Sequence, residues 1–192
     1  MSLKKNTRLI GLHAFLSPSN YHWLDYDEDK LRASYFNKQQ ARLGDELHAY
    51  AQKAIELKVT QADNGSTLST YINDAIGFRM TPEFPLYYSD DCFGTTDAIS
   101  FREERWPEGR RLTLRISDLK TGLIAANIKQ LLIYAAIFCF EYRCAPRDIK
   151  IVLRIYQNDS IEELIAEPSE IMMVMSRIKA QAELIAFLRE ED

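Results

Sequence analysis

The sequence of 192 residues contains little cysteine, glycine and proline. The three cysteines, Cys92, Cys139 and Cys144, are odd in number and lack the paired spacing of a metal site, so we interpret them as reduced thiols. No apolar run approaches the roughly 20 residues that a membrane span requires. Residues 1–20 contain no apolar core of signal-peptide length. We therefore expect a soluble, cytoplasmic protein that does not bind a membrane.

The sequence also lacks a basic excess, because 28 acidic residues outweigh 24 basic ones and give a net charge of −4. Proteins that coat nucleic acid nonspecifically carry a positive footprint, so any contact with nucleic acid must be local. The acidic balance does not exclude a nuclease, since carboxylates that hold a metal lower the net charge themselves. With 46% hydrophobic residues the chain can bury a real core, and we predict a single domain over residues 1–192.

Apolar residues recur at helical spacing in several segments. Leu43, Leu47 and Ala51 are examples in the first of these segments. The segment "SEIMMVMSRIKAQAELIAFL" is amphipathic, and Ser169 is a candidate cap at its start. The predicted helices span residues 37–57, 68–79, 122–142 and 169–188.

Other segments are short, rich in β-branched and aromatic residues, and separated by turn signals. Residues 86–90, 92–101 and 110–120 predict three antiparallel strands in a meander. Residues 148–158 predict a further strand that joins the sheet after a helical crossover. The predicted fold class is α+β, a mixed central sheet of about four strands flanked by helices.

The segment "RISDLKTG" ends the third strand with two charged residues on one face. Asp118 and Lys120 are i and i+2, so they project side by side while Leu119 faces the core. The segment "FGTTDAI" places Asp97 inside the neighbouring strand, where a carboxylate is costly to bury without a partner. Adjacent strands can bring Asp97 and Asp118 together as a cluster that a divalent cation would stabilise. The alternative to an active-site role is that Lys120 is a solvated residue at the end of the strand.

Two helices carry further polar residues in an apolar setting. Gly44 precedes His48 by four residues in "ARLGDELHAY", although a lone histidine on such a helix is most often a surface or satisfied core residue. Gln130 and Tyr134 in "QLLIY" are i and i+4, and therefore share one face of their helix. Alternatively, Gln130 and Tyr134 are polar groups at the boundary of a buried helix and have no role in a site.

These motifs follow one another as Gly-x-x-x-His, Gly-x-x-Asp, Asp-x-Lys-Thr-Gly and Gln-x-x-x-Tyr. This order resembles the PD-(D/E)XK nuclease superfamily, and within it the RecB-like or phage-type exonuclease branch that includes CRISPR-adaptation exonucleases. "LSPSNYHWL" is similar to the Ser-containing opening of that branch, and the resemblance extends from about residue 14 to residue 157. It implies a restriction-endonuclease-like core and a metal-dependent deoxyribonuclease.

The resemblance also implies the roles of individual residues. Asp97, Asp118 and Lys120 would be catalytic, and Gln130 and Tyr134 would position the phosphate strand or Lys120. Oxygen ligands suit Mg²⁺ or Mn²⁺, and an imidazole ligand shifts the preference toward Mn²⁺. Glu83, placed just before the first strand, would support a second metal or remain a solvated loop residue. The expected metal ligands are His48, Asp97, Asp118 and the Leu119 carbonyl.

Members of that branch with an iron–sulfur cluster carry four cysteines around the core, so three cysteines elsewhere imply no cluster here. The helicase motif GxxxxGK[ST] is also missing, so unwinding would need a recombination or helicase partner. The expected function is that of an exonuclease acting on DNA in phage or mobile-element recombination or end-processing. The protein would act as a single chain or as a homo-oligomer. The alternatives are a nonenzymatic nucleic-acid-binding or regulatory protein with the same fold, and a structural subunit.

Overall fold

The computed structural model describes residues 7–9, 11–122 and 126–190. The chain divides into two compact units, residues 1–43 and 44–192. The single domain over residues 1–192 stays a prediction. In the described part of the chain, no helix has the length and apolar character needed to cross a membrane.

The first unit contains two 3-10 helices, Thr7–Leu9 and Pro18–Asp25, and the beginning of helix α1, Glu28–Leu57. Helix α1 starts nine residues before the predicted position 37. The reason is local, because Asp27 Oδ1 accepts a hydrogen bond from the Lys30 backbone N–H at 2.8 Å and so caps the first turn. The first turn contains polar residues, so the spacing of apolar residues does not show where the helix starts.

The second unit is built on a five-stranded mixed sheet with the order β1-β2-β3-β4-β5. The first three strands form an antiparallel meander, as predicted, and β4 joins β3 in parallel after a helical crossover. The predicted α+β fold is therefore confirmed, with one strand more than the four expected. The strands are β1 Thr81–Ser89, β2 Cys92–Trp106, β3 Gly109–Lys120, β4 Lys150–Gln157 and β5 Ser160–Ala166.

Strand β5, which the sequence analysis missed, pairs with β4 through a tight hairpin. Asn158 and Asp159 form its turn, and both have positive φ, +50° and +56°. Two consecutive residues in the left-handed region are typical of the two-residue turns that join antiparallel strands. The Asn-Asp pair was the available signal, but the predicted strand 148–158 continues to Asn158 and so passes over the turn.

Helices cover both faces of the sheet. The second half of α1 and helix α2, Thr67–Gly77, pack on one face around a core that includes Ile72 and Leu119. Helices α3, Lys129–Glu141, and α4, Pro168–Glu190, pack on the other face around the larger core. The odd and even residues of β3 therefore face different helices.

Helix α3 begins at Lys129 rather than at Gly122, and the predicted residues 123–125 lie outside the described part of the chain. The Gln157 side chain bonds to the backbone on both sides of this gap, at Gly122 O (2.6 Å) and Ala126 N (2.9 Å). These bonds satisfy backbone groups outside a helix. Helix α4 begins at Pro168, so the prediction that Ser169 caps it was wrong, because proline is well accommodated in the first turn.

Candidate metal site

Asp97 and Asp118 occupy facing positions on strands β2 and β3. The register pairs Ala98 with Ser117, and one further step along both strands places Asp97 opposite Asp118. Directly opposed residues of antiparallel strands point to the same side of a sheet and have Cβ atoms about 4.5–5.5 Å apart. The predicted placement of the two carboxylates on adjacent strands is therefore confirmed.

Asp97 has polar and charged neighbours on β3 and on α1. Its Oδ2 accepts a hydrogen bond from the Leu119 backbone N–H at 2.8 Å and lies 3.5 Å from His48 Nδ1. Burial and, after it, the charge of Asp118 raise the pKa of Asp97 to about 6, against the lowering effects of the Leu119 N–H, His48 and Lys120. The Asp97 carboxylate is thus held at a site that disfavours its charge, where a cation would stabilise it.

Asp118 is almost fully buried, with 3% of its surface exposed. Lys120 Nζ lies 3.0 Å from both carboxylate oxygens but donates a hydrogen bond to Oδ1 alone. Oδ2 is buried and accepts no hydrogen bond from any residue that the structure describes. Oδ2 is therefore compensated by the charge of Lys120 alone among the described residues, and it could accept a further cation contact.

His48 reaches this cluster because a glycine precedes it by one helical turn. A Cβ atom on Gly44 would lie 2.7 Å from the Thr121 hydroxyl oxygen, so glycine allows α1 to approach the end of β3 without displacing that side chain. His48 and Gly44 are four residues apart and lie on the same face of α1. The predicted convergence of His48 with Asp97 is therefore present in the structure.

Glu83 is the third carboxylate near the same point. Ligand atoms of His48, Glu83 and Asp97 all lie within 4.8 Å of one another. The sequence analysis placed Glu83 before the first strand, and this was wrong, because it lies inside β1 with φ +48°. A glutamate in the left-handed region is uncommon. The strand register is unbroken from the pair Pro82 and Ala98 to the pair Phe84 and Thr96, and it places Glu83 opposite Asp97.

The two predicted positioning residues on α3 have different neighbours. Gln130 Oε1 accepts a hydrogen bond from Lys120 Nζ at 3.2 Å, so Gln130 holds the lysine from the helix side. Tyr134 instead donates its hydroxyl hydrogen to the Thr95 carbonyl at 2.7 Å. Its ring lies over Gly94, where a Cβ atom would come within 2.9 Å of the ring carbon Cε1. Tyr134 therefore fixes α3 on β2 next to the site.

Tyr71, on helix α2, is a neighbour of the site that the sequence analysis treated only as a core residue. Burial raises the pKa of Tyr71 well above its usual range, and the charges of Asp97, Glu83 and Asp118 raise it further. Its ring packs edge-on against Tyr156, with centroids 5.3 Å apart. Helical periodicity alone gave no reason to separate Tyr71 from its apolar neighbours.

The donor set suits a hard or borderline divalent cation. Carboxylate oxygens are the ligands that Mg²⁺ and Mn²⁺ prefer, and one imidazole nitrogen is compatible with Mn²⁺. The Leu119 carbonyl stays a predicted ligand, because the described contact of that residue is its N–H bond to Asp97. His48, Glu83 and Asp97 bring their ligand atoms close enough for one such cation, and Asp118 lies outside that group on the neighbouring strand.

No family model, curated protein or solved structure matches this chain. A function for the protein must therefore be argued from the geometry around Asp97, Asp118 and Lys120.

Proposed function

We propose that this protein is a divalent-metal-dependent DNA nuclease of the PD-(D/E)XK type. The observation that carries the proposal is the buried Asp118 carboxylate, which faces Asp97, has one oxygen without a hydrogen-bond donor, and has Lys120 at 3.0 Å. A structural ion pair alone would not explain a second carboxylate opposite the first. The motifs that resemble that superfamily supply these same residues.

Phosphodiester hydrolysis adds water across a P–O bond and leaves a phosphate monoester and a free hydroxyl. Negative charge grows on the phosphate oxygens during this step, so preorganised positive groups accelerate it. A cation bound by the carboxylates would supply Lewis-acid stabilisation of that charge. Lys120 is the residue of this chain that would supply a second positive charge at the same phosphate.

Lys120 is placed for this role by two contacts. Asp118 and Gln130 hold its ammonium group from the strand and from the helix, at 3.0 Å and 3.2 Å. About a third of the lysine side chain, 34%, is exposed, so a phosphate can reach it from solvent. Gln130 is then a positioning residue, because it acts on the substrate through Lys120.

The direct test is degradation of fluorescently labelled linear DNA, single-stranded and duplex, in Mn²⁺, in Mg²⁺ and in EDTA. We expect degradation that requires the metal and is abolished by EDTA. Asp118→Asn should remove it as well, because an amide does not replace an anionic ligand. A covalently closed circle of the same sequence distinguishes an exonuclease, which leaves it intact, from an endonuclease.

The nonenzymatic alternative predicts a different result in the same experiment. A nucleic-acid-binding protein would retard the labelled DNA in a gel with or without metal and would leave it intact. We further propose that the protein acts in the cytoplasm, as part of DNA recombination or end-processing with a helicase partner. The support for the compartment is that Cys92, Cys139 and Cys144 are all free.

A further inference from the structure

A cavity lies at the β1 edge of the sheet, between strands β1 and β2 and the end of helix α3. It has a volume of about 450 Å³, within the range of small-ligand sites. Its wall includes Thr81 and Phe84 of β1, which flank Glu83, and Ile99 of β2, which follows Asp97 by two residues. The cavity wall therefore contains residues that are close in sequence to Glu83 and Asp97 on the same two strands.

The far side of the cavity is aromatic. Phe101 and Tyr142 are partly exposed, 39% and 48%, and both pack on Phe138, with centroid separations of 4.9 Å and 4.4 Å. Phe138 is buried and holds the other two rings in fixed positions. Fixed aromatic rings with an open side are the usual platform for a nucleobase.

The cavity also has a positively charged margin. The guanidinium of Arg79 makes no hydrogen bond or ion pair with residues 7–9, 11–122 or 126–190. Arg102 donates from Nε to Glu104 at 3.4 Å, but that carboxylate is held by Arg115 through shorter bonds of 2.7 to 3.0 Å. Arg79 and the outer part of Arg102 are therefore free to receive an anion.

Asp97, Ile99 and Phe101 are i, i+2 and i+4, so they lie on one face of β2. At the rise of a strand, Phe101 is about 13 Å from Asp97 along β2. A substrate strand whose scissile phosphate lay at Asp97 would pass Phe101 and Arg79 with its neighbouring nucleotides. Aromatic faces and an arginine in one cavity match the two parts of a nucleotide, its base and its phosphate.

We propose that this cavity binds an unpaired nucleotide of the substrate strand, its base against Phe101 and Tyr142 and its phosphate at Arg79. The assignment rests on the proposed nuclease function and makes single-stranded DNA, or a single-stranded end, the substrate class. A base inside a duplex has both faces covered by its neighbours in the stack, whereas an unpaired base has a free face for Phe101.

The test measures binding of a fluorescein-labelled oligothymidylate by anisotropy in EDTA, where the proposed cleavage does not occur. Phe101→Leu keeps most of the apolar volume but removes the aromatic face, and we expect it to weaken binding by about fivefold or more. Arg79→Ala should weaken binding and reduce the slope of log K against log salt by about 0.7, the value of one phosphate contact. Binding of a blunt duplex should be weaker and should not change in either variant.

Matched controls come from exposed residues elsewhere in the second unit. Arg147→Ala removes an arginine whose side chain is 81% exposed, and Phe187→Leu removes a phenylalanine that is 56% exposed on α4. Both should bind as the wild type does. Tyr142→Leu replaces Phe101→Leu if that variant fails to fold, as judged by its melting temperature.

Equal affinity of the wild type and the folded Phe101→Leu, Tyr142→Leu and Arg79→Ala variants would overturn the assignment, and so would a wild type that does not bind the oligonucleotide. If binding behaves as predicted but no metal-dependent cleavage is found, the nuclease function fails and the nucleotide site stands. If cleavage is found and the three variants bind normally, the site fails and the nuclease function stands.

Discussion

Lys120 donates a hydrogen bond to Asp118 two positions earlier on the same strand, with 3.0 Å between Nζ and Oδ1. The same ammonium group donates to Gln130 across the interface with α3. The lysine is therefore held at the end of β3 by one residue of the sheet and one of the helix. Its charge is balanced by Asp118, and it still has an exposed side toward solvent.

Replacing Lys120 by alanine should separate catalysis from metal binding. A charge-stabilising donor at the reacting phosphate is typically worth about 10²–10³ in rate, so we expect cleavage to fall by that factor. The ligands remain, so Mn²⁺ affinity should be retained. Lys179→Ala, at an exposed position on α4, is the matched control and should cleave normally. Equal specific activity of folded Lys120→Ala and wild type would show that the lysine is only a structural partner of Asp118.

Replacing His48 by alanine should weaken Mn²⁺ binding more than Mg²⁺ binding. An imidazole is a better ligand for Mn²⁺ than for Mg²⁺, and His48 Nδ1 is 3.5 Å from Asp97 Oδ2. Calorimetric titration of both ions into wild type and variant measures the effect. His13→Ala, in the first unit, is the control. Unchanged affinity for both ions would remove His48 from the ligand set.

Asp97 should make metal binding dependent on pH. Burial and the Asp118 charge raise the pKa of Asp97 to about 6 in the metal-free protein, above its ordinary value of 3.8. The folded state then binds more protons than the unfolded state between these values, so the contribution of Asp97 to stability falls as pH rises through this window. Mn²⁺ competes with that proton, and the rise in melting temperature that it causes should grow from pH 5 to pH 7.

The control for this pH dependence is Asp97→Asn, which cannot titrate at this position. In that variant the effect of Mn²⁺ on the melting temperature should be small at every pH from 5 to 7. An effect of Mn²⁺ in the wild type that is the same at pH 5 and pH 7 would contradict the placement of the ion at Asp97.

Gly94 should be required by the packing of α3 on β2. A Cβ atom there would lie 2.9 Å from Cε1 of the Tyr134 ring, and overpacking of this kind typically costs about 1–3 kcal/mol. We expect Gly94→Ala to lower the free energy of unfolding by that amount in urea denaturation. Gly77→Ala, where nothing lies within 4 Å of the added atom, should be nearly neutral. Equal stability of the two variants would show that Tyr134 moves aside without cost.

The sequence was sufficient to predict the three-stranded meander, a further strand after a helical crossover, and the placement of Asp97 and Asp118 on adjacent strands. Each of these follows from local alternation and from the pairing of neighbouring strands. The structural reason for Gly44 and Gly94 could not be obtained in this way, because it depends on Thr121 and Tyr134, which are distant in sequence. Motif spacing identified the two glycine positions, and packing against Thr121 and Tyr134 explains why glycine occurs there.

Glu83 is a clearer example of a site residue that a single sequence does not place correctly. Its carboxylate joins His48 and Asp97 from inside β1, where the register places Glu83 opposite Asp97 and its φ is +48°. The segment "TPEFP" contains two prolines around the glutamate, which made it resemble a loop before a strand. This position follows from the pairing of β1 with β2, and a single sequence does not reveal that pairing in advance.

The central claim is that Asp97 and Asp118 hold one divalent cation, and calorimetric titration of Mn²⁺ into the metal-free protein at pH 7.5 tests it most directly. The predicted result is saturable binding by the wild type and by Lys120→Ala, and loss of that binding in both Asp97→Asn and Asp118→Asn. Asp63→Asn, at an exposed loop position, should bind as the wild type does. Binding that persists unchanged in both carboxylate variants, or a wild type that binds no Mn²⁺, would contradict the account.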